Sequence, residues 1–71
     1  MEKELRLKLG KKIRSLRKSL RLTQEELAEK TDIDYKYIQR IEGKNPPAIR
    51  IDTIGRLARA LKVRPAELLD F

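Results

Sequence analysis

The chain has 71 residues, enough for one domain and too few for two, and it carries a net charge of +7. It has no cysteine and no histidine, which argues against disulfides, thiolate metal sites and histidine-based catalysis. No apolar run approaches the roughly 18 residues of a membrane span, and the N-terminus lacks the apolar segment of a signal peptide. The sequence therefore predicts a soluble, cytoplasmic protein.

The charge is unevenly distributed along the chain. Residues 1–21 have a net charge of +7 and residues 35–64 of +6, whereas residues 22–34 have −4 and the last seven have −2. Cationic surfaces attract nucleic acid or anionic membrane. Membrane binding through the first helix is disfavoured, because that helix would have to withdraw Leu9, Ile13 and Leu16 from the core. The charge pattern thus favours nucleic acid as the partner.

Five short helical patterns follow one another without strand-like alternation, which predicts an all-α fold. The first helix is expected over about Lys3–Ser19, with apolar residues recurring at helical spacing along one stripe. These residues are Leu9, Ile13, Leu16 and Leu20. The second helix opens at Thr23, which can cap it, and Glu26 completes a capping box. This helix is expected to end near Lys30.

Turn-forming residues divide the second half of the chain. After a tight turn, Asp34 should cap a third helix that stops at Gly43. The glycine and the paired prolines of residues 43–47 predict a loop. Asp52 is then expected to cap a fourth helix. Its inward-facing residues are Ile54, Leu57, Ala58 and Leu61. Pro65 suits the first turn of a fifth, very short helix, because its missing N–H costs nothing there.

Residues 24–43 have the order short helix, tight turn, second helix. If the third helix spans about 35–42, a turn of about 100° per residue directs Tyr37, Ile38 and Ile41 inward. The opposite face presents hydrogen-bond donors, acceptors and an aromatic ring, with no carboxylate at its centre. Its residues are Tyr35, Lys36, Gln39 and Arg40. Such a face suits the major groove, where Arg or Lys donates to guanine, Gln pairs with adenine, and a ring meets a thymine methyl.

Most of the chain, about Leu9–Leu69, resembles the Cro and lambda-repressor-like helix-turn-helix family, also called the XRE family. The resemblance rests on the run TQEELAEKTDIDYKYIQRIEGKNPPAIRIDTIGRLARALKVRPAELL and extends back through LGKKIRSLRKSLRL. It implies five helices, a single helix-turn-helix domain over residues 1–71, and a third helix that reads base edges in the major groove. The base-reading positions of the family fall on the outward face of this helix, with Gln39 beside them.

The resemblance also implies roles outside that face. Gln24 occupies the position at which members of the family bind a DNA phosphate through a Gln side chain, and the backbone amides at a helix N-terminus also favour an anion there. Residues of the following loop would hold the other side of the DNA backbone, namely Lys44, Asn45 and Arg50. Arg17 and Glu42 are expected to form a partly buried, structural ion pair. Asp32 departs from the family, which usually has Gly here. If Asp32 adopts a left-handed conformation, the free-energy cost is smaller than for most other residues but larger than for Gly.

Two interpretations remain open for the C-terminal apolar residues, which either close the core or form a dimer seam. These residues are Val63, Leu69 and Phe71. The leading hypothesis is a repressor or controller-type transcription regulator that binds a two-fold operator in double-stranded DNA as a homodimer. No enzyme activity, cofactor, metal or small-molecule ligand is expected, because the chain has no Gly-rich phosphate loop or metal-ligand spacing and ends before an effector domain begins. The alternatives are an antitoxin, and a protein-interaction module on the same fold that has lost DNA binding.

Overall fold

The computed structural model describes residues 2–71. Its elements in chain order are α1 (Lys3–Ser19), α2 (Gln24–Thr31), α3 (Tyr35–Ile41), α4 (Ile51–Ala60) and a final 3-10 helix (Pro65–Leu69). The all-α prediction is confirmed, since residues 2–71 include no strand. No helix in this part of the chain is long and apolar enough to cross a membrane.

The expected fifth α-helix is instead a 3-10 helix, so the α-helices number four among the described residues. The Glu67 N–H donates to the Arg64 carbonyl at 2.9 Å, and the Asp70 N–H donates to the Glu67 carbonyl at 3.2 Å. Both bonds span three residues, as in a 3-10 helix. A segment of five residues has too few positions to gain much from four-residue α-helical bonds, so the tighter winding prevails.

The stripe of α1 differs from the prediction at its last position. Leu9 and Ile13 are fully buried and Leu16 is half-buried, but Leu20 is 36% exposed. Leu20 is the C-cap of α1, where the chain turns out of the helix and away from the core. The buried position one turn before the end belongs instead to Arg17, a charged residue.

Three helices end through the same left-handed turn, made without glycine. The left-handed residues follow α1, α2 and α4, and they are Arg21, Asp32 and Lys62, with φ of 58°, 56° and 62°. The next residue in each turn is apolar, and its N–H donates to the carbonyl five residues earlier at 3.0–3.1 Å. These apolar residues are Leu22, Ile33 and Val63. Asp32 therefore adopts the conformation for which the family usually has Gly.

The ends of α3 and α4 differ from the prediction by one or two residues. The N-cap of α4 is Arg50, not Asp52, because the Arg50 carbonyl already accepts the first helical bond from the Ile54 N–H at 3.0 Å. Asp52 lies in the first turn, where its charge complements the helix dipole. The third helix ends at Ile41, and Gly43 does not take a left-handed conformation.

The core lies where α1, α2, α3 and α4 meet, and it is aliphatic. Its members are Leu9, Ile13, Leu27, Ala28, Ile38, Ile41, Ile49, Ile54, Leu57, Ala58, Leu61 and Leu68. Gly10 allows α1 to lie directly against the end of α3, because a Cβ at this position would collide with the Ile41 carbonyl oxygen. The sequence pattern around Gly10 does not predict this close approach. This contact fixes α3 on one side and leaves its other side to solvent.

Candidate nucleic-acid interface

The third helix is anchored at its start and along its inner side. Asp34 caps it by accepting a hydrogen bond from the Lys36 N–H at 3.0 Å. Ile38 and Ile41 are buried, and Tyr37 is half-buried against the core. The Tyr37 hydroxyl donates to the Ala48 carbonyl at 3.4 Å. These contacts set the rotation of α3 about its own axis.

The outer side of α3 presents the residues that the sequence predicted as base readers. All four are exposed, namely Tyr35, Lys36, Gln39 and Arg40. Three of them, Lys36, Gln39 and Arg40, also line an open depression together with Gly43, Lys44 and Asn45. The structure thus brings the predicted loop contacts Lys44 and Asn45 beside this outer side of α3, the candidate recognition face.

Arg50 does not line this depression. It is exposed at the start of α4, and its Nε donates to the Asp52 carboxylate at 3.2 Å. Its guanidinium therefore has an anionic partner within the chain. The loop between α3 and α4 is held by two buried residues, Pro46 and Ile49, so its exposed residues are carried on an anchored segment.

Two of the exposed residues on α3 are bonded to each other. The Gln39 side-chain amide donates from Nε2 to the Tyr35 hydroxyl oxygen at 3.1 Å. The two residues are four apart, a spacing that places side chains on the same helix face one turn apart. The sequence predicts the two residues only as separate contacts.

Arg17 and Glu42 form the expected ion pair, and Gln24, predicted only as a phosphate contact, joins it in one network. Arg17 donates from Nε and from a terminal nitrogen to the two oxygens of Glu42, at 2.8 and 2.9 Å. Its third bond, at 2.7 Å, goes to the Leu22 carbonyl just before α2. Gln24 donates from Nε2 to Glu42 Oε1 at 3.1 Å. Arg17 and Glu42 are only 10% and 3% exposed in their side chains.

This network joins the start of α2 to the end of α3, the two ends of the motif. The hydrogen bond with Glu42 raises the pKa of Arg17, with burial acting in the opposite direction. Gln24 is half-buried, and one of its two amide N–H groups remains available to an anion. The sequence signal for the link was the placement of Gln24 and Glu42 at the two ends of the predicted motif.

The N-terminus of α2 has the predicted capping box. The Glu26 N–H donates to the Thr23 hydroxyl at 3.0 Å, and the Thr23 N–H donates to the Glu26 carboxylate at 2.8 Å. The bond from the Thr23 backbone lowers the pKa of Glu26. The box orders the first turn of α2, from which Gln24 projects.

The acidic residues of the motif lie to one side of the recognition face. Four of them line a separate depression with Ala28, Ile33 and Tyr35, namely Glu25, Glu29, Asp32 and Asp34. Tyr35 thus adjoins an acidic surface, and the carboxylates of that surface repel phosphate. The described residues include no group of acidic side chains placed to hold a metal ion.

The C-terminal apolar residues differ in how far they are buried. Val63 is half-buried against the core, which is closed by the fully buried Leu68. Leu69 and Phe71 leave 47% and 51% of their surface exposed. The Phe71 ring lies 5.8 Å from the Lys8 ammonium. Ile51 at the start of α4 is a further exposed apolar residue, at 87%, and it lies outside the sites predicted from the sequence.

The order of elements and the exposed face define a class of protein. A short helix, a turn through a left-handed residue, and a second helix with exposed polar side chains on its outer face are the elements of a helix-turn-helix DNA-binding domain. Residues 13–68 match the family model described as helix-turn-helix. The chain therefore belongs to the helix-turn-helix family of DNA-binding transcription regulators, and the resemblance to its XRE members is confirmed.

Relatives in this family are regulators. The chain is 38% identical over 72 residues to the control protein C.BamHI of Bacillus amyloliquefaciens, covering 100% of this chain and 88% of the relative. It is similar in structure to the restriction-modification controller protein C.AhdI of Aeromonas hydrophila, with a TM-score of 0.83 and 33% identity over 89% of this chain and 94% of the other. It also resembles the hypothetical transcription factor NHTF from Neisseria, with a TM-score of 0.87 and 33% identity over 93% and 73% of the two chains.

Proposed function

We propose that this protein is the controller of a restriction-modification system, a single helix-turn-helix domain that binds a two-fold DNA operator as a homodimer and regulates transcription in the cytoplasm. The observation that carries the proposal is the exposed outer face of α3, whose four side chains include no carboxylate. The controller role is supported by the similarity to C.BamHI and C.AhdI, both named as control or controller proteins. It acts by binding DNA and not by catalysis.

In the proposed complex α3 lies in the major groove. Lys36 and Arg40 have only hydrogen-bond donors, which suits the two acceptors of guanine. Gln39 supplies both a donor and an acceptor, and the Tyr35 ring offers an apolar edge to a thymine methyl. Ile38 and Ile41 are fixed in the core on the opposite side, so the four readers enter the groove together.

The phosphates on either side of the groove are contacted by residues that flank α3. Gln24 approaches one strand with its free amide N–H beside the N-terminus of α2. Lys44 and Asn45 approach the other strand from the loop that continues the depression. Arg50 reaches phosphate by exchanging its Asp52 partner for the DNA backbone.

A homodimer supplies the second recognition helix that a two-fold operator requires. The exposed apolar residues Leu69 and Phe71 support a dimer seam, that is, an interface between two copies, at the C-terminal end of the chain. The half-buried Val63, six residues before Leu69, is its third predicted member. Sedimentation velocity over a concentration series tests this seam. We expect Leu69→Ser and Phe71→Ser to weaken self-association while circular dichroism stays unchanged. Equal self-association in all three proteins would contradict it.

The test of DNA recognition is selection of binding sites from a random duplex pool, followed by titration of the selected site at several salt concentrations. We expect a palindromic site and a log–log salt slope near −0.9 for each phosphate neutralised. Arg40→Ala should cost about 1–3 kcal/mol on this site and relax its specificity. Lys44→Ala should weaken binding to all sequences and make the salt slope shallower by about 1.

Arg64→Ala is the matched control, because it removes one exposed positive charge outside the motif. It should leave both site preference and salt slope close to those of the original protein. No enrichment of any site would refute the proposed function and favour a protein partner, as in an antitoxin or an interaction module. Unchanged site preference in Arg40→Ala would refute the assignment of that residue.

A further inference from the structure

We infer that Tyr35 holds the side-chain amide of Gln39 in the orientation that reads adenine, so that the two residues act as one base-reading unit. The inference rests on the proposed function and deepens it, because it names the base that this part of the recognition face selects. The Tyr35 hydroxyl is the positioning group in this unit, separate from the ring that faces the groove, and the Gln39 amide makes the contact with adenine.

The geometry of α3 brings the two side chains together before DNA is bound. Gln39 Nε2 donates to the Tyr35 hydroxyl oxygen at 3.1 Å, across one turn of helix. Both side chains are on the exposed side, and Tyr35 keeps 39% of its surface accessible. The helix beneath them is held by the Asp34 cap and by the buried Ile38. The backbone that carries the two side chains is therefore held in place by contacts with the rest of the domain.

The hydrogen bond to Tyr35 determines which donor and acceptor groups of the Gln39 amide remain free to contact a base. A glutamine side chain has two N–H donors and one carbonyl acceptor. With one N–H donated to Tyr35, the groups that remain are one donor and the acceptor. Adenine presents the N7 acceptor and the N6 donor in the major groove, which complement these two groups. Guanine presents two acceptors, N7 and O6, and would place O6 against the Gln39 carbonyl.

The opposite orientation of the amide would give the opposite preference. If the Tyr35 hydroxyl donated to the Gln39 carbonyl, the amide would face the groove with its two N–H groups, which match guanine. Lys36 and Arg40 are donors only and already suit guanine. The base preference of Gln39 thus depends on the orientation of its amide, and in the structure Nε2, not the carbonyl oxygen, faces the Tyr35 hydroxyl.

The test compares four proteins, namely the original chain, Tyr35→Phe, Gln39→Ala and the double variant. Each is titrated against the selected operator and against operators carrying every substitution at each base pair. Gln39→Ala should reduce the preference for adenine at one base pair by about 5- to 150-fold, the range expected for one bidentate contact. Tyr35→Phe should reduce the preference at the same base pair, and the double variant should lose no more than Gln39→Ala alone.

Lys36→Ala is the matched control, because it changes a neighbouring exposed reader that has no bond to the pair. Its effect on specificity should fall on a different base pair and should add to that of Tyr35→Phe. All the changed side chains are exposed, so circular dichroism should show the same helix content in every variant.

Three results would overturn the inference while leaving the proposed function intact. They are a guanine at the base pair that Gln39→Ala affects, a Tyr35→Phe variant with undiminished adenine preference, and additive losses at that base pair in the double variant. An original chain that selects no site would refute the proposed function, and this inference with it.

Discussion

Replacing Arg17 by alanine should destabilise the fold more than any change on the exposed surface. Arg17 makes three hydrogen bonds of 2.7–2.9 Å and connects α1, the Leu22 carbonyl before α2, and Glu42 at the end of α3. Alanine would remove all three bonds. It would leave the Glu42 carboxylate, whose side chain is 3% exposed, with the Gln24 amide as its remaining side-chain donor.

The expected loss follows from that burial. Removing one partner of a buried ion pair costs about 3–5 kcal/mol, whereas exposed pairs contribute about 0–1 kcal/mol. A chain of 71 residues has a free energy of unfolding of roughly 4–11 kcal/mol, at about 0.05–0.15 kcal/mol per residue. Arg17→Ala should therefore remove about half of the stability and lower the Tm by more than about 12 °C.

The assay is thermal and urea unfolding followed by circular dichroism. Arg14→Ala is the matched control, because Arg14 is an exposed arginine on the same helix and its loss should change the free energy of unfolding by less than about 0.5 kcal/mol. The double variant Arg17→Met, Glu42→Leu replaces both charges by apolar side chains. It should recover most of the lost stability, because the cost of an unpaired buried charge disappears.

A loss below about 1 kcal/mol in Arg17→Ala would refute this reasoning, since it is the value for an exposed pair. A double variant no more stable than Arg17→Ala would show that the loss came from packing and not from the stranded carboxylate. Binding of the double variant to DNA provides a separate measurement. If Glu42 positions the Gln24 amide, the affinity for all sequences should fall although the fold is restored.

The other predictions concern the backbone and a capping residue. Gly10→Ala should lower the Tm, because its Cβ would strike the end of α3, whereas Gly55→Ala in α4 meets no atom within 4 Å and should gain about 0.5–1 kcal/mol from helix propensity. Equal changes of Tm in Gly10→Ala and Gly55→Ala would contradict the close approach of α1 to the end of α3. Asp32→Gly should raise the stability by up to about 1 kcal/mol, because the relief of left-handed strain outweighs the backbone entropy of glycine and the loss of the exposed Arg56 contact at 3.9 Å, and a lower Tm would refute this. Since the folded pKa of Glu26 lies below its ordinary value of 4.5, its stabilising contribution is present above that pH and is lost as the pH falls through the folded pKa. Glu26→Gln keeps the capping bond without the charge, so its stability in a pH titration should fall less on acidification than that of the original chain.

Local patterns in the sequence predicted the helices well where the interactions are local. The bounds of α1 and the capping box at Thr23 depend on residues within three or four positions, and both appear as expected. The resemblance to related sequences marked Asp32 as a position where the family usually has Gly, and the structure shows the left-handed conformation there. The N-cap of α4 was misplaced at Asp52, because an extended stretch before the helix let Arg50 provide the first helical carbonyl.

By itself, the sequence determined the class of this protein: helical spacing, capping residues and charge along the chain are local properties, and they define the motif and its outward face. The tertiary structure decided how the parts of that face depend on one another. Only the fold places Glu42 within 3.1 Å of Gln24, eighteen residues away, and presses Gly10 against the end of α3. Such contacts depend on how the helices cross, because side chains distant in sequence meet only after the core has fixed the helices relative to one another.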